Sequence, residues 1–291
     1  MKTRPTSLAE MRERMKPLFS AEGFEKGLAF ELAPTDVVIT PYAKSGTTWT
    51  QQIVHTLRTR GDMDFDDISR VVPWIEVSNG LGIDLSAEQK AEPRAFKSHL
   101  GWDKMPKGGR YINVVRDPGD ALVSSFKFNE GWFWEPGSVA IDEYAQAEFL
   151  EQRNYYKHLL SWWPRRNDAD VLFLAYEQML AAPSRAIERI AAFIGIELDA
   201  QLLAITEEHS SLEFMLRHKD RFDDAMIRRR SEELCGLPED SDSAKVRDGK
   251  AGSSTMLGKA TLDALAVAWQ EEITAPLGFP DYASLIADLR E

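Results

Sequence analysis

Residues 40–52, with the sequence TPYAKSGTTWTQQ, bring together groups that suit an anion such as phosphate or sulfate. Lys44 carries a full positive charge, and hydroxyl donors follow it on Ser45, Thr47 and Thr48. Because an apolar run precedes Gly46 and a helix-like run follows it, the pattern predicts a strand-to-helix turn. The first N–H groups of such a helix are unpaired, and the helix dipole adds partial positive charge there. We therefore expect the turn to bind an anionic group of a ligand.

The order of residues in this turn differs from that of the P-loop of nucleotide hydrolases. In the P-loop pattern G-x-x-x-x-G-K-[ST] the lysine follows the second glycine, whereas Lys44 precedes Gly46 and no glycine stands five positions before Gly46. We predict a phosphate-binding loop of another pattern. The alternative is an ordinary capped strand-to-helix turn that binds nothing.

A second basic turn begins at Arg116 and has the sequence RDPGDALVSS. Pro118 suits the first turn of a helix, where Asp120 can accept hydrogen bonds from free N–H groups. Arg116 then stands at the mouth of a strand, where a guanidinium can grip a phosphate, and Ser124 lies about one and a half turns into the helix. The alternative is a structural ion pair of Arg116 with Asp117 or Asp120. Two such turns predict a ligand with two phosphate-like groups.

Lys97 and His99 lie at alternate positions near the end of another apolar run, so both side chains are expected on one face. A histidine suits general-base chemistry on a hydroxyl group. A single histidine is more often structural, which is how we interpret His55, His158 and His218. The neighbouring basic residues favour His99 as a catalytic residue.

Aromatic side chains crowd the chain after the second turn: Phe126, Phe128, Trp132, Phe133 and Trp134. One helix face cannot bury all of them, so we predict that some pack in the core and others line an apolar acceptor pocket. For that pocket we name Phe128, Trp132 and Phe133, together with Trp74 from the sequence VVPWIE.

The elements that must position these residues form an alternating pattern. Apolar runs at 36–40, 94–98, 111–115 and 170–175 predict strands, and the helical patterns between them predict an α/β fold with a mainly parallel sheet flanked by helices. Amphipathic helices are predicted for 142–163, 183–195 and 259–272, and a loop or lid for the polar residues 221–252. Because ligands of such sheets sit beyond the carboxyl ends of the strands, one pocket can collect all the groups named above.

Composition limits the function further. The 291 residues, 43% of them hydrophobic, fit a single domain (1–291) with an N-terminal segment at 1–30. The net charge of −12 argues against nucleic-acid binding. No apolar run is long enough to span a membrane or to form a signal peptide, so a cytoplasmic protein is expected. Cys235 is the only cysteine, which excludes an intrachain disulfide and favours a buried or inert thiol.

Together the motifs resemble the sulfotransferases that use 3′-phosphoadenosine 5′-phosphosulfate (PAPS), in particular the soluble, cytosolic-type branch. YAKSGTTW is similar to that family's 5′-phosphosulfate loop, RDPGDALVSS to its 3′-phosphate motif, and PRAFKSHL to the strand that bears its catalytic histidine. VPWIE, HLLSWWPRRNDADVLFLAYEQM and HSSLEFM align in order and spacing, so the resemblance covers about residues 30–255. It implies the P-loop-like, nucleotide-binding fold of that family.

The resemblance also implies roles for single residues. It assigns the 5′ end and adenine of the donor to Lys44, Ser45, Gly46, Thr47, Thr48 and Trp49, the 3′-phosphate to Arg116 and Ser124, and the adenine side to Tyr176, Ser210 and Leu212. Lys97 and His99 stand at the transfer site. A late R-K-G-x-x-G loop that closes over the 3′-phosphate corresponds to RDGKAG, with Arg247 and Gly249. Asp248 replaces its lysine, and Lys245 and Lys250 are candidates to supply the missing contact. The family's dimer signature is not matched, so the oligomeric state stays open.

We therefore predict an enzyme that transfers a sulfuryl group in line from PAPS to a hydroxyl of a small, apolar or aromatic acceptor and releases the desulfated product PAP. In this prediction His99 removes the acceptor proton, Lys44 neutralises charge on the bridging oxygen, and Ser124 holds Lys44 back until an acceptor binds. No metal is expected, since a sulfuryl group carries less charge than a phosphoryl group. The alternatives are a P-loop-like small-molecule kinase and a non-catalytic nucleotide-binding protein.

Overall fold

A sheet of parallel strands forms the centre of the computed structural model, which describes residues 2–243, 245–247 and 249–289. The strands are β1 Val37–Ile39, β2 Ala95–Lys97, β3 Arg110–Val115 and β4 Val171–Ala175, in the order β2-β1-β3-β4. Val38 of β1 pairs with Phe96 on one side and with Tyr111 on the other. The predicted parallel α/β sheet is confirmed, and each of the predicted strands is present.

Helices surround the sheet. Their bounds in the described residues are α1 Leu8–Met15, α2 Ala21–Leu28, α3 Thr47–Thr59, α4 Ile68–Val71, α5 Ile75–Ser78, α6 Pro118–Trp132, α7 Ile141–Tyr144, α8 Asn154–Trp162, α9 Tyr176–Ala181, α10 Pro183–Ile194, α11 Ala200–His209, α12 Leu212–Arg217, α13 Ala225–Leu234, α14 Lys259–Trp269, α15 Ala275–Leu277 and α16 Tyr282–Ala287. Short π-helical segments, Ala145–Leu150 and Gln270–Thr274, continue α7 and α14.

The two faces of the sheet pack into separate cores, as the alternation of side chains along β1 shows. Val37 and Ile39 pack with apolar residues of α3 and α10, whereas Val38 belongs to the cluster on the opposite face, with Tyr111 and Trp162. The strands are buried on both faces, which is why they read as continuous apolar runs in the sequence. Helices therefore cover both faces and leave the carboxyl ends of the strands for the site.

Two of the predicted segments differ from the structure. The helix predicted for 142–163 is broken at residues 151–153, where Arg153 takes the left-handed backbone conformation at φ 55° just before α8. The segment 221–252, predicted as a loop or lid, contains the helix α13. That helix buries only Ile227 and Ser231, so it leaves almost no apolar periodicity in the sequence. The prediction of α10 is confirmed, with Pro183 in its first turn and Gly195 as its C-cap.

Two further observations concern the described part of the chain as a whole. None of its helices has the length and apolarity needed to cross a lipid bilayer. Cys235 is buried, as expected, and burial raises the pKa of its thiol.

Candidate active site

A cavity of about 560 Å³ opens beyond the carboxyl ends of the strands. It collects residues that the sequence scatters over more than two hundred positions. Those predicted site residues that line it are Lys44, Gly46, Thr47, Thr48, Trp49, Trp74, Lys97, His99, Arg116, Ser124, Phe128, Trp132, Phe133, Tyr176, Ser210, Leu212, Arg247 and Gly249. Ser45 is the predicted site residue that does not.

Ser45 faces away from this cavity. Its side chain is fully buried and borders a separate space of about 10 Å³ next to Asn113 and His158. Its backbone N–H donates to the carbonyl of Tyr42. The structure therefore does not place the Ser45 hydroxyl with the other donors of the turn.

The first basic turn has the geometry that the sequence predicts. Gly46 is the N-cap of α3 at φ 95°, and Lys44 also takes a left-handed conformation at φ 69°. A Cβ added to Gly46 would lie 3.0 Å from Cδ2 of Tyr176, so the backbone approaches that ring closely. Among the described residues, the buried Thr47 Oγ1 and Trp49 Nε1 have no hydrogen-bond partner. The turn thus presents polar groups that a ligand can satisfy.

Lys44 is a half-buried lysine in this turn. Its Nζ lies 4.0 Å from the ring centroid of Phe128. Burial holds the pKa of its ammonium group well below the usual value, and the positive charge of Lys245 adds to this effect. A bound anion would raise the pKa of Lys44, so the charged form of Lys44 and an anionic ligand stabilise each other.

Arg116 connects the first turn to the late part of the chain. Its Nη1 donates to the Lys44 carbonyl at 3.1 Å and its Nη2 to the Lys250 carbonyl at 3.0 Å. The guanidinium carbon lies 4.3 Å from the ring centroid of Tyr176. Its Nε is buried and has no hydrogen-bond partner in the described chain. Arg116 is thus held at the cavity wall with its Nε donor still available.

The two aspartates that follow Arg116 have other partners. Asp117 is the N-cap of α6 and accepts from the Asp120 N–H at 2.9 Å. Asp120 accepts from the N–H groups of Gly252 at 2.7 Å and Ser254 at 2.8 Å. The Nη atoms of Arg116 donate to carbonyl groups instead, and in the described part of the chain Arg116 forms no ion pair with either aspartate, so that alternative is wrong. Asp117, and not Asp120, caps the helix.

His99 is positioned as a neutral base. A carbonyl oxygen can only accept, so the 2.8 Å contact between Nδ1 and the Pro41 carbonyl puts the ring proton on Nδ1 and leaves Nε2 with a lone pair. The backbone N–H of His99 donates to Oε1 of Glu76 at 2.8 Å. Burial, with the charge of Lys97, lowers the pKa of His99 to about 3, so the imidazole is neutral at pH 7. The sequence did not reveal this contact of His99 with Glu76.

Lys97 lies beside this imidazole and is almost fully buried. Its Nζ is 4.4 Å from the ring centroid of Trp74 and 3.5 Å from Oδ1 of Asp224. Burial lowers the pKa of Lys97 to about 8, while Asp224 opposes this shift. Lys245 approaches the same carboxylate oxygen to 2.5 Å. Asp224 was missed in the sequence because nothing local distinguishes it from the other acidic residues of a charge-rich segment.

The aromatic residues after the second turn divide as predicted. Phe128, Trp132 and Phe133 line the cavity, whereas Trp134 is buried in the core and Phe126 packs against that core. The rings of Trp132 and Phe133 are stacked with centroids 4.5 Å apart. The indole N–H of Trp132 donates to Ser231 Oγ of α13 at 3.1 Å. Phe19, Met215 and Ile227, which the sequence did not indicate, add further apolar surface to the cavity.

The remaining predicted residues line the cavity as well. Tyr176 meets Trp49 edge to face with ring centroids 5.7 Å apart. Ser210 Oγ donates to the Thr206 carbonyl at 2.6 Å. The side chain of Leu212 comes within 3.2 Å of the place where a Cβ of Gly249 would lie. Asp248, the residue that departs from the family pattern, lies outside the described residues.

Comparisons with known proteins identify the family of this chain. Residues 34–255 match the family model described as "Sulfotransferase domain". Sulfotransferase 1B1 of Mus musculus is 31% identical over 210 residues, which cover 67% of this chain and 70% of the relative. Sulfotransferase 2A1 of Homo sapiens is 28% identical over 206 residues, covering 65% and 70% respectively.

Solved structures show the same fold. A retinol dehydratase in complex with androsterone and the inactive cofactor PAP superposes with a TM-score of 0.67 at 21% identity, covering 90% of this chain and 85% of that one. Mouse sulfotransferase SULT7A1 complexed with PAP gives a TM-score of 0.67 at 20% identity, covering 88% and 91%. In the described part of our chain, no three acidic, histidine or cysteine side chains are grouped so as to hold a metal ion. The family match covers most of the chain, which therefore belongs to the sulfotransferase family.

Proposed function

We propose that this sulfotransferase moves a sulfuryl group from PAPS to a hydroxyl of a small apolar or aromatic acceptor and releases PAP. One observation carries the proposal: a single cavity holds both the basic turn around Lys44 and a half-buried, neutral His99 with an unprotonated Nε2. The structures of relatives that contain PAP, together with retinol or androsterone in two cases, support the same pairing of ligands.

The donor fits the residues at the strand ends. In our proposal Lys44, Thr47 and the first N–H groups of α3 hold the 5′-phosphosulfate, because these donors converge at a positive helix end. Arg116 and Ser124 hold the 3′-phosphate, and Arg116 offers its unpartnered Nε for this. Trp49 Nε1 is likewise unpartnered beside the ring of Tyr176, where a nucleobase would find both a donor and an aromatic face.

The residues of the transfer end supply acid–base and electrostatic catalysis. His99 Nε2 takes the proton of the acceptor hydroxyl as the new oxygen–sulfur bond forms, which typically contributes roughly 10²–10⁴ in rate. Lys44 stabilises the negative charge that develops on the oxygen of the leaving phosphate, and a preorganised donor of this kind is worth ~3 kcal/mol. Lys97 lies beside His99, where the transferring group passes.

The apolar wall supports a small acceptor. Phe128, Trp132 and Phe133 give the cavity an apolar surface, and the ring of Trp74 meets that of His99 edge to face with centroids 5.1 Å apart. We propose a phenol, a hydroxylated polycyclic compound or a long-chain alcohol as the acceptor class.

The test is a transfer assay with PAPS labelled at sulfur and a panel of hydroxylated small molecules. We expect label to appear on at least one apolar or aromatic alcohol, in step with the release of PAP. A sulfated polysaccharide serves as a negative control for the acceptor, and ATP with Mg²⁺ as a negative control for the donor. Tight PAP binding without transfer to any acceptor would support the non-catalytic alternative, and phosphate transfer from ATP would support a kinase.

A further inference from the structure

A carboxylate lies among the cations of the cavity and calls for a physical explanation. Asp224 is 4% exposed, and its Oδ1 lies 3.5 Å from Lys97 Nζ and 2.5 Å from Lys245 Nζ. A site built only to bind an anionic donor would gain nothing from a buried negative charge. Buried ions are stable only when they are paired. The carboxylate of Asp224 and the ammonium groups of the two lysines that it contacts therefore stabilise each other.

The backbone around Asp224 holds this carboxylate in place. Asp224 has φ 56° and ψ 42°, a left-handed conformation that is uncommon for residues other than glycine. The helix α13 starts directly after it, and the N–H of Met226 donates to Oδ2 of Asp67 at 3.0 Å. Asp67 is itself fully buried. The carboxylate of Asp67 therefore holds the start of α13, next to Asp224. A left-handed backbone such as that of Asp224 is strained, and such strain is often retained where it serves function.

We propose that Asp224 is a positioning residue of sulfuryl transfer, which fixes Lys97 and Lys245 side by side at the transfer site and keeps Lys97 protonated there. This inference rests on the proposed function. Lys97 has no ion-pair partner other than Asp224 among the described residues, and its remaining close contact is the face of the Trp74 ring. Without the carboxylate, burial would favour the neutral amine, which cannot stabilise the negative charge of the transferring group.

The other charges around the pair lead to the same conclusion. The charged or titratable groups that face Asp224 and Lys97 are Lys44, Asp67, His99, Asp223 and Lys245. Asp224 and Asp67 favour the charged form of Lys97, whereas Lys245 disfavours it, so Lys97 depends on these two carboxylates, and not on Asp223, for its charge. Burial opposes ionisation of Asp224, yet Lys245 and Lys97 lower the pKa of its carboxyl group below the usual range. Asp224 is therefore a partner for cations and not a rival base to His99.

The test compares Asp224→Asn and Asp224→Glu with the unmodified chain. Because kcat/KM reports groups of the free enzyme, its decline at high pH follows the loss of the Lys97 proton. For Asp224→Asn we expect this decline to move to lower pH by roughly 1–3 units, as for the loss of an opposite charge at this distance. The affinity for PAP should be unchanged or higher, since a negative charge has been removed. Asp224→Glu should restore the pH profile in part.

The adjacent carboxylate provides a matched control. Asp223 pairs with Arg228 at 3.1 Å and does not line the cavity, so Asp223→Asn should keep the high-pH decline of the unmodified chain. Unchanged kcat/KM and pH profile in Asp224→Asn would overturn the inference. Equal losses of PAP affinity and thermal stability in Asp224→Asn and Asp224→Glu would show a structural role and would also overturn it.

A direct titration separates this inference from the proposed function. The pKa of Lys97 can be followed by NMR of carbon-labelled lysine side chains, with Lys97→Arg identifying the signal. A lower pKa in Asp224→Asn supports the inference even if no acceptor is found, and an unchanged pKa overturns it even if the enzyme is active. Absence of transfer by the unmodified chain contradicts only the proposed function.

Discussion

The donor end and the transfer end of the cavity are built in different ways. At the donor end, residues 44–49 form one continuous turn whose donors are backbone N–H groups and adjacent side chains. At the transfer end, His99 follows β2, Glu76 comes from α5, and Asp224 precedes α13. The first arrangement places Lys44 and helix N–H groups around one point, whereas the second pairs Lys97 with Asp224 beside a neutral imidazole. We therefore expect the donor end to determine the affinity for PAPS and PAP, and the transfer end to carry out proton transfer.

The largest effect should come from removing the base at the transfer end. We expect His99→Ala to lower kcat by roughly 10²–10⁴, because no other unprotonated group is proposed to take the acceptor proton. The affinity for PAP, measured by calorimetry, should stay nearly the same, since His99 lies outside the donor turn. A variant that transfers sulfate at the original rate would refute the role of His99.

A somewhat smaller loss is expected at the junction of the two ends. Lys44→Met should lower kcat by ~10²-fold, the usual effect of losing one preorganised donor at developing charge. Because Lys44 also faces the bound donor, the affinity for PAP should fall as well, in contrast to His99→Ala. Single-turnover rates at saturating PAPS separate the two effects. A loss of affinity with an unchanged single-turnover rate would restrict Lys44 to binding.

The donor end alone should be affected by Arg116→Ala. This change removes charged hydrogen bonds worth about 1.5–3 kcal/mol each, so we expect the affinity for PAP to fall roughly 10- to 100-fold. The rate at saturating PAPS should change less. The matched control is an analogue without the 3′-phosphate: the unmodified chain should bind it more weakly than PAP, and the variant should bind both alike. Equal affinities in the unmodified chain would contradict the assignment of Arg116.

The smallest effect expected is the response of the transfer end to mild acid. Burial, with Lys97, lowers the pKa of His99 to about 3, and a base whose pKa is lowered stays unprotonated until the pH approaches that value. Protonation of His99 should therefore cause no decline of kcat/KM between pH 7 and pH 5. An acidic decline with an apparent pKa of ~6.5 that persists in the control variant His218→Gln would contradict the lowered pKa of His99.

The sequence predicted the donor end better than the transfer end for a physical reason. A strand-to-helix turn is local, so the spacing of Lys44, Gly46 and Thr47 already determines which groups converge. The orientation of Ser45 depends instead on the packing of Asn113 and His158 beneath the turn. No local pattern carries that information.

The transfer end was harder to predict from local sequence patterns for the same reason. His99 was recognised from its position after a strand, but its tautomer depends on the Pro41 carbonyl, which is distant in sequence. Asp224 was hidden because α13 is polar and buries few residues, so the segment resembled a loop. Contacts between distant segments determine these features. The acceptor class and the cytoplasmic location stay predictions.

The close approach of Gly46 to the Tyr176 ring has an evolutionary consequence. Any side chain at Gly46 would meet that ring at 3.0 Å and would also be forced into a left-handed conformation. Substitutions at these two positions should therefore not accumulate independently as lineages diverge. In an alignment of relatives we expect glycine to persist wherever an aromatic residue occupies the second position, and frequent alanine beside tyrosine would contradict this constraint.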